Sequence, residues 1–529
     1  MKTNKAWMPL ALALLLSTTL IPLAHGSYID SGHFYCTLFG GSGDDRIRDI
    51  VLDSQGNIII TGGTFSDDLP ILDAVQPEYG GGTLPPGEYF HSMGDAFVAK
   101  FTPDYELLWA TYLGGSGFEL ALHVKVDIQD NVLVFGRTTS DDFPCTFEST
   151  PTGREEGDPF IAMYTPDGEL IGSRLYVPDE INRIEHVDLD SNGNIVIGGV
   201  TSSTNMYCTE DAIRSELSGE NDGFVRVVSP DFEEVLYSTY IGGSGDEYIG
   251  EIAVGSNDSI YVSGSTGSDD LPITENCLRS EKNDEESDNF IAKIDANRDL
   301  VVLTYFGGSD VDHIFGLCEG IRGSIAIVGR TWSTDFPLTD NAFQSEYAGD
   351  VDGYLTVLDP AGSEVLYSSY YGGGEWDSLL QVNMITQGKI VTTGFVHSGE
   401  VDSVNAFQSE YTGDSDIVVT IWGEVVELNS YLGGYGSEHP FAQIFEDNIM
   451  HLVGSTDSSG FVVSDGAYQE SLMGGMDGFI WRMDIDSYRE GGVPSETSSR
   501  DYKQEISYVV VLGVIAIWFV YMRKTFGES

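Results

Sequence analysis

Positive charge is scarce in this chain. Its 25 lysines and arginines stand against 84 aspartates and glutamates, for a formal net charge of -59. Phosphate backbones demand positive surface, so nucleic acid is excluded as a partner, and adhesion of the folded part to anionic lipid is disfavoured on the same ground. The acidity itself suits solubility and resistance to association at a cell surface, with divalent-cation binding and a saline habitat as sharper alternatives. Cysteine is also sparse. Five cysteines in 529 residues are too few, and odd in number, for a disulfide framework. Cys145, Cys208 and Cys277 fall in equivalent long loops, which makes a Cys145–Cys208 bridge conceivable, whereas Cys36 and Cys318 sit within strand-like runs as small buried side chains. Catalytic signatures are missing too. No Gly-x-Ser-x-Gly elbow, His-Glu-x-x-His helix or Cys-x-x-Cys pair occurs, and the 9 histidines are scattered. Acidic residues are so frequent that no pair is distinguished as a glycosidase couple.

Repetition is what the chain has. An aromatic-small-Gly-Gly phrase closes an apolar run at Leu38-Phe39-Gly40-Gly41, Tyr112-Leu113-Gly114-Gly115, Tyr240-Ile241-Gly242-Gly243, Tyr305-Phe306-Gly307-Gly308, Tyr370-Tyr371-Gly372-Gly373 and Tyr431-Leu432-Gly433-Gly434, with a degenerate copy at Tyr176-Val177-Pro178. It returns roughly every 60 to 75 residues, a period that marks propellers, solenoids or arrays. Each unit carries four short apolar runs, shown in the first by Ile47 to Asp53, Asn57 to Gly62, Asp95 to Phe101 and Leu107 to Leu113. Their length, period-two alternation and intervening turn residues read as strands. Four strands make a small antiparallel sheet that cannot cover its own faces, and a ring of such sheets covers them all.

The ends carry the count. A third-strand phrase beginning with aspartate, as in Asp95-Ala96-Phe97-Val98, also occurs seven times, the last at Asp477-Gly478-Phe479-Ile480 with no Gly-Gly strand after it. One Gly-Gly strand instead precedes the first full unit, at Phe34 to Phe39. The expected fold is therefore all-β: a seven-bladed β-propeller of four-stranded antiparallel blades, whose N-terminal strand completes the seventh blade and closes the ring.

The same residues resemble the SBBP repeat family, named for a seven-bladed β-propeller. The likeness rests on the Gly-Gly phrase, the turns at Gly56-Asn57 and Gly193-Asn194, and the Ser-Asp-Asp-Leu-Pro or Asp-Phe-Pro phrase at Ser66 to Pro70, Ser140 to Pro144, Ser268 to Pro272 and Ser333 to Pro337. Ala342-Phe343-Gln344 and Ala406-Phe407-Gln408 extend it. The resemblance implies a propeller in a secreted or surface setting and brings no catalytic residues with it.

Residues 1–26 have the form of a signal peptide, with Lys2 and Lys5 before an apolar run that ends at Ala24-His25-Gly26. The propeller is expected over 27–487 and a flexible Ser/Gly/Glu-rich stalk over 488–505. An uncharged apolar run over 506–522, followed by Arg523 and Lys524, predicts one transmembrane helix with 523–529 as a cytoplasmic tail and the propeller outside the cell membrane.

Propellers line their central channel with the first strand of each blade. Aligning those strands on the hairpin turns that follow them makes one register polar: Asp49, His123, His186, Glu251 and Gln381, with Gly316 and Pro440 in the remaining units. Asp49, His123, His186 and Glu251 come from consecutive blades and make a donor set that zinc accepts; a hydrated channel wall is the plainer expectation. Calcium is a second candidate cofactor, because Asp188, Asp190, Asn192 and Asn194 alternate around Gly193, although the closing glutamate of a calcium loop is absent. The acid pairs Asp67-Asp68, Asp141-Asp142 and Asp269-Asp270 read as turn caps. Asn257-Asp258-Ser259 is a glycosylation acceptor pattern on a hairpin turn. The expected role is binding at the cell surface, adhesion-like, with a protein or glycan partner met by the loops of one disc face. A hydrolase or lyase working in the central channel, and a passive envelope spacer, are the alternatives.

Overall fold

The computed structural model describes residues 34–486 apart from 83–93, 148, 153–156, 177–182, 284–286 and 386–387. The expected signal peptide, the expected stalk over 488–505, the expected transmembrane helix over 506–522 and its tail lie outside the described residues. Among the described residues, no helix is long and apolar enough to cross a membrane.

The described residues form twenty-eight strands in seven four-stranded antiparallel sheets. The first complete blade runs β2 (Asp45–Leu52), β3 (Ile58–Thr64), β4 (Asp95–Phe101) and β5 (Leu107–Leu113), from the channel outwards. Every residue of β3 and of β4 is buried, because neighbouring blades cover both faces of each sheet. The inner strands of the other blades are β6 (Glu119–Val126), β10 (Arg183–Leu189), β14 (Glu247–Val254), β18 (Asp312–Glu319), β22 (Ser378–Ile385) and β26 (Glu438–Glu446). Each packs against the next, and β26 packs against β2, so the ring is closed. The last sheet is joined as its sequence predicts. The N-terminal strand β1 (Phe34–Phe39) pairs antiparallel with the last strand β28 (Asp477–Asp484), Phe34 opposite Met483 and Phe39 opposite Gly478.

The Gly-Gly phrase has a reason that its spacing does not reveal. At five of the blade junctions its first glycine sits against two buried carboxylates, one from the third strand of its own blade and one from the start of the next blade's inner strand, and at a sixth Gly372 sits against Asp377. A Cβ on Gly40 would stand 2.8 Å from the Asp477 carboxyl carbon and 2.9 Å from Asp45 Oδ2. The Gly41 amide donates to Asp45 Oδ2 at 2.7 Å, and the Ser66 hydroxyl donates to the same oxygen at 2.8 Å. Gly114 stands between Asp95 and Glu119 in the same way, and Gly433 between Asp416 and Glu438. At the seventh junction Val177 and Pro178 replace the glycines. Burial pushes Asp45 and Asp416 up to about 6 and Glu438 up to about 7, hydrogen-bond donors pull each back, and for Asp45 and Glu438 the carboxylate across the glycine adds to the rise. The tyrosine of the phrase ties down the Ser-Asp-Asp-Leu-Pro loop of its own blade: Tyr112 Oη donates to the Ser66 carbonyl at 2.8 Å and accepts from the Leu69 amide at 3.1 Å.

Gly40→Ala should therefore lower stability by about 1–3 kcal/mol, since a methyl has no room beside two buried carboxyls. Gly250→Ala, where an added Cβ meets nothing within 4 Å, should stay within about 0.5 kcal/mol of wild type. Denaturant midpoints of the two variants check this contrast.

Candidate functional site

All seven inner strands carry a β-bulge at the same place, between Ile47 and Asp49 in β2 and between Ala121 and His123 in β6, for example. The bulge needs a glycine on the strand behind it. A Cβ on Gly62 would fall 1.8 Å from the Arg46 carbonyl oxygen, and Gly136, Gly199, Gly264, Gly329, Gly394 and Gly454 meet the same obstacle in the other blades. Bulges re-aim side chains. Here the residue that follows the bulge begins the polar ring inferred from sequence: Asp49, His123, His186, Glu251, Gly316 and Gln381 are equivalent by register. The seventh member is Ala442, not Pro440. The hairpin after β26 closes with Glu446 opposite Ile449, a tighter turn than the one between Leu52 and Ile58, so counting back from the turn overshoots by two residues.

The channel holds a cavity of about 680 Å³ lined by Asp49, His123, Lys125, His186, Asp188 and Glu251 among others. The four residues proposed as a donor set meet there as two pairs. His123 Nδ1 lies 3.8 Å from Asp49 Oδ2, His186 Nδ1 lies 3.3 Å from Glu251 Oε1, and the two imidazole centroids are 4.5 Å apart. Among the described residues, no group of three or more His, Cys, Asp or Glu is arranged to hold a metal ion.

The pairs differ electrostatically. Burial depresses the His123 pKa and the neighbouring His186 and Lys125 charges depress it further, so the ring is neutral. Its Nε2 lies 2.9 Å from the Glu185 carbonyl oxygen, which only accepts, so Nε2 carries the proton and Nδ1 the lone pair. Burial also opposes the His186 cation, yet Glu251 outweighs it and the net shift is upward. Lys125 follows the same pattern, opposed by burial and held up by Asp188, 3.5 Å away, and by Asp49. Each carboxylate also clamps two blades together. Asp49 Oδ2 accepts from the Val124 amide of the next blade at 2.9 Å, and Asp188 Oδ2 accepts from Val254 at 2.8 Å. Chemically the set can exchange protons; its hydrogen bonds otherwise hold neighbouring blades in register.

Sequence reasoning missed a second assembly at the channel end nearer the Gly-Gly loops. The bulge residue of β2, Arg48, lies 4.3 Å over the ring of Phe441, the bulge residue of β26. Arg330, behind β18, is enclosed by Phe315, Trp332 and Trp376 at 5.0 to 5.1 Å. His313 packs on Trp332, and Phe395 packs on both His397 and His439, continuing the belt between the two arginines. Trp376 is 45% exposed. One signal was available: in a chain with few basic residues, Arg46 and Arg48 stand in the first inner strand, and Arg137 and Arg330 each precede the threonine that ends a second strand.

The remaining candidates resolve as turn chemistry. Asp190 accepts from the Asn192 and Asn194 amides at 2.9 Å and from Asn194 Nδ2 at 2.8 Å, while Asp188 turns instead to Lys125, so the two do not converge on a cation. Asp68, Asp142 and Asp270 accept from the backbones of Ser42, Ser116 and Ser244, capping the loops after the Gly-Gly phrases. No disulfide joins Cys145 to Cys208, which pack into different hydrophobic clusters. Asn257 is exposed on its hairpin turn.

No protein-family model matches the chain. It is 23% identical over 274 residues to the regulatory protein FlaEY of Caulobacter vibrioides, an alignment covering 48% of this chain and 28% of that protein. It is 24% identical over 205 residues to an uncharacterized WD repeat-containing protein of Acanthamoeba polyphaga mimivirus, covering 34% of this chain and 14% of the relative. The chain thus spans less than a third of either relative's length. Similar solved structures include a catalytically inactive virginiamycin B lyase from Staphylococcus aureus with quinupristin, at 11% identity and a TM-score of 0.42, covering 85% of this chain and 99% of that one. The polysaccharide lyase Uly1 is similar at 9% identity and a TM-score of 0.41, covering 88% and 95%.

NMR titration of the imidazole protons should show His186 titrating above 6.5 and His123 below it. Glu251→Gln should bring the His186 midpoint down, because only burial and the Lys125 charge then oppose the remaining attraction of Asp188. Two midpoints displaced in the same direction would contradict this assignment.

Proposed function

We propose that this chain is an exported, membrane-anchored propeller of the SBBP type that binds a ligand at the channel mouth, and that the ligand is a glycan. The single observation that carries the reading is the aromatic and cationic belt, with Trp376 standing 45% exposed beside Trp332 and Arg330. Exposed aromatic faces beside fixed polar groups mark recognition surfaces, and flat rings suit the C–H faces of sugars. The polar ring below it supports binding over catalysis. Asp49 and Asp188 are already tied to backbone amides across blade boundaries, and Glu251 is paired with His186. The leader-like segment over 1–26 and the apolar run over 506–522 support display outside the cell, with the propeller outermost.

The His123–His186 contact favours a second reading, proton-transfer chemistry of a hydrolase or lyase in the channel, which turnover of a bound glycan would reveal. A printed glycan array probed with the full chain tests the main reading. Binding should be retained without cleavage, and Trp376→Ala should weaken it about tenfold or more with the melting temperature unchanged. An array without signal overturns the reading.

A further inference from the structure

Arg48 and Arg330 stand out in a chain of this charge. Among the described residues neither is in an ion pair, although acidic side chains outnumber basic ones more than threefold. Both are partly buried under aromatic rings. Arg330 Nε is fully buried and has no hydrogen-bond partner. Around Arg48 the nearest charges that matter are Arg46 and Arg137, and these add to the effect of burial in lowering its pKa to about 10. A guanidinium half-buried among aromatics and among its own kind is costly to keep, because desolvation is uncompensated by any anion. The positions are architectural: Arg48 is the bulge residue of the first blade, and Arg330 pairs opposite His313 on the fifth. The missing partner is therefore an anion supplied from outside.

We propose that the mouth recognises a carboxylated glycan, a chain of uronate units whose sugar rings lie on the aromatic belt and whose carboxylates are taken by Arg48 and Arg330. This rests on the glycan-binding reading above and narrows it. The planar guanidinium fork matches a carboxylate through two parallel hydrogen bonds; with Arg330 Nε buried, its two Nη groups are the pair that would take one. With the two arginines on the first and fifth blades, the ligand is an oligomer rather than a single sugar. The site also explains why basic residues gather at this mouth in a protein with a net charge of -59, which repels polyanions everywhere else.

The test is calorimetric titration of the purified full chain with tetragalacturonate and, in parallel, with neutral cellotetraose, each at low and at physiological salt. Tetragalacturonate should bind at least tenfold more tightly, with an affinity that falls as salt rises. Arg48→Gln and Arg330→Gln should each weaken its binding about tenfold or more while leaving the melting temperature equal or higher, since each removes an uncompensated buried charge. Equal affinity for the two tetrasaccharides, or uronate binding indifferent to both substitutions, would overturn the carboxylate proposal while leaving a glycan-binding mouth intact. Failure of both tetrasaccharides, together with a blank glycan array, would overturn the underlying reading as well.

Discussion

The whole ring depends on one recurring joint: two buried carboxylates from adjacent blades closing on a glycine that has no side chain to keep them apart. Asp477 and Asp45 meet this way at Gly40, Asp95 and Glu119 at Gly114, and Asp416 and Glu438 at Gly433. Each acid is surrounded by donors. Glu438 accepts from the Thr456 hydroxyl at 2.7 Å and the Gly434 amide at 3.1 Å, and Asp95 accepts from the Gly80 amide at 2.7 Å. Such a joint is polar, directional and short, so it fixes the angle between blades in a way that apolar packing alone does not. It also stores unfavourable electrostatics, because two carboxyls cannot both ionise cheaply at that separation.

Above and below that joint, the same logic positions the channel. A glycine on each second strand admits the bulge of the inner strand, and the bulge decides which side chain faces the axis. Acidic and imidazole groups in the polar ring then cross-link neighbouring blades, as Asp49 does through the Val124 amide. At the mouth, by contrast, Arg48 and Arg330 have aromatic covers and no anion. Blade-to-blade hydrogen bonds in the polar ring and unpaired arginines at the rim separate the part of the channel that holds shape from the part proposed to meet a ligand.

Much of the architecture was legible because repetition is a local signal repeated seven times. The aromatic-small-Gly-Gly phrase, the aspartate-led third strand and the orphan strand at Phe34 to Phe39 together determine the number of blades and their closure. The chemistry behind the phrase was not legible, since the acids flanking Gly40 lie at positions 45 and 477, far apart along the chain. Turn length is invisible to a count back from the hairpin, and the tighter turn after β26 is why Pro440 stood in for Ala442 in the seventh unit. Within the candidate site, Asp49, His123, His186 and Glu251 share one register, and their partition into two pairs depends on side-chain geometry, which the sequence does not carry. The belt from Arg48 to Arg330 draws one or two residues from each of several blades, and no window of sequence contains it.

The most direct measurement of the central claim is the stability of Glu438→Gln relative to wild type as a function of pH. In the folded chain burial lifts Glu438 from 4.5 to about 7, donors notwithstanding, with Asp416 adding to the rise. The folded state therefore holds this proton more tightly than the unfolded one, and stability falls as pH rises through that interval. Glutamine keeps the acceptor for Gly434 and removes the ionisation. The variant should thus be more stable than wild type at pH 8, by about 3 kcal/mol, with the advantage vanishing as pH approaches 4. A variant less stable than wild type at pH 8, or a difference that does not change with pH, would contradict the carboxylate joint as the element that sets this ring.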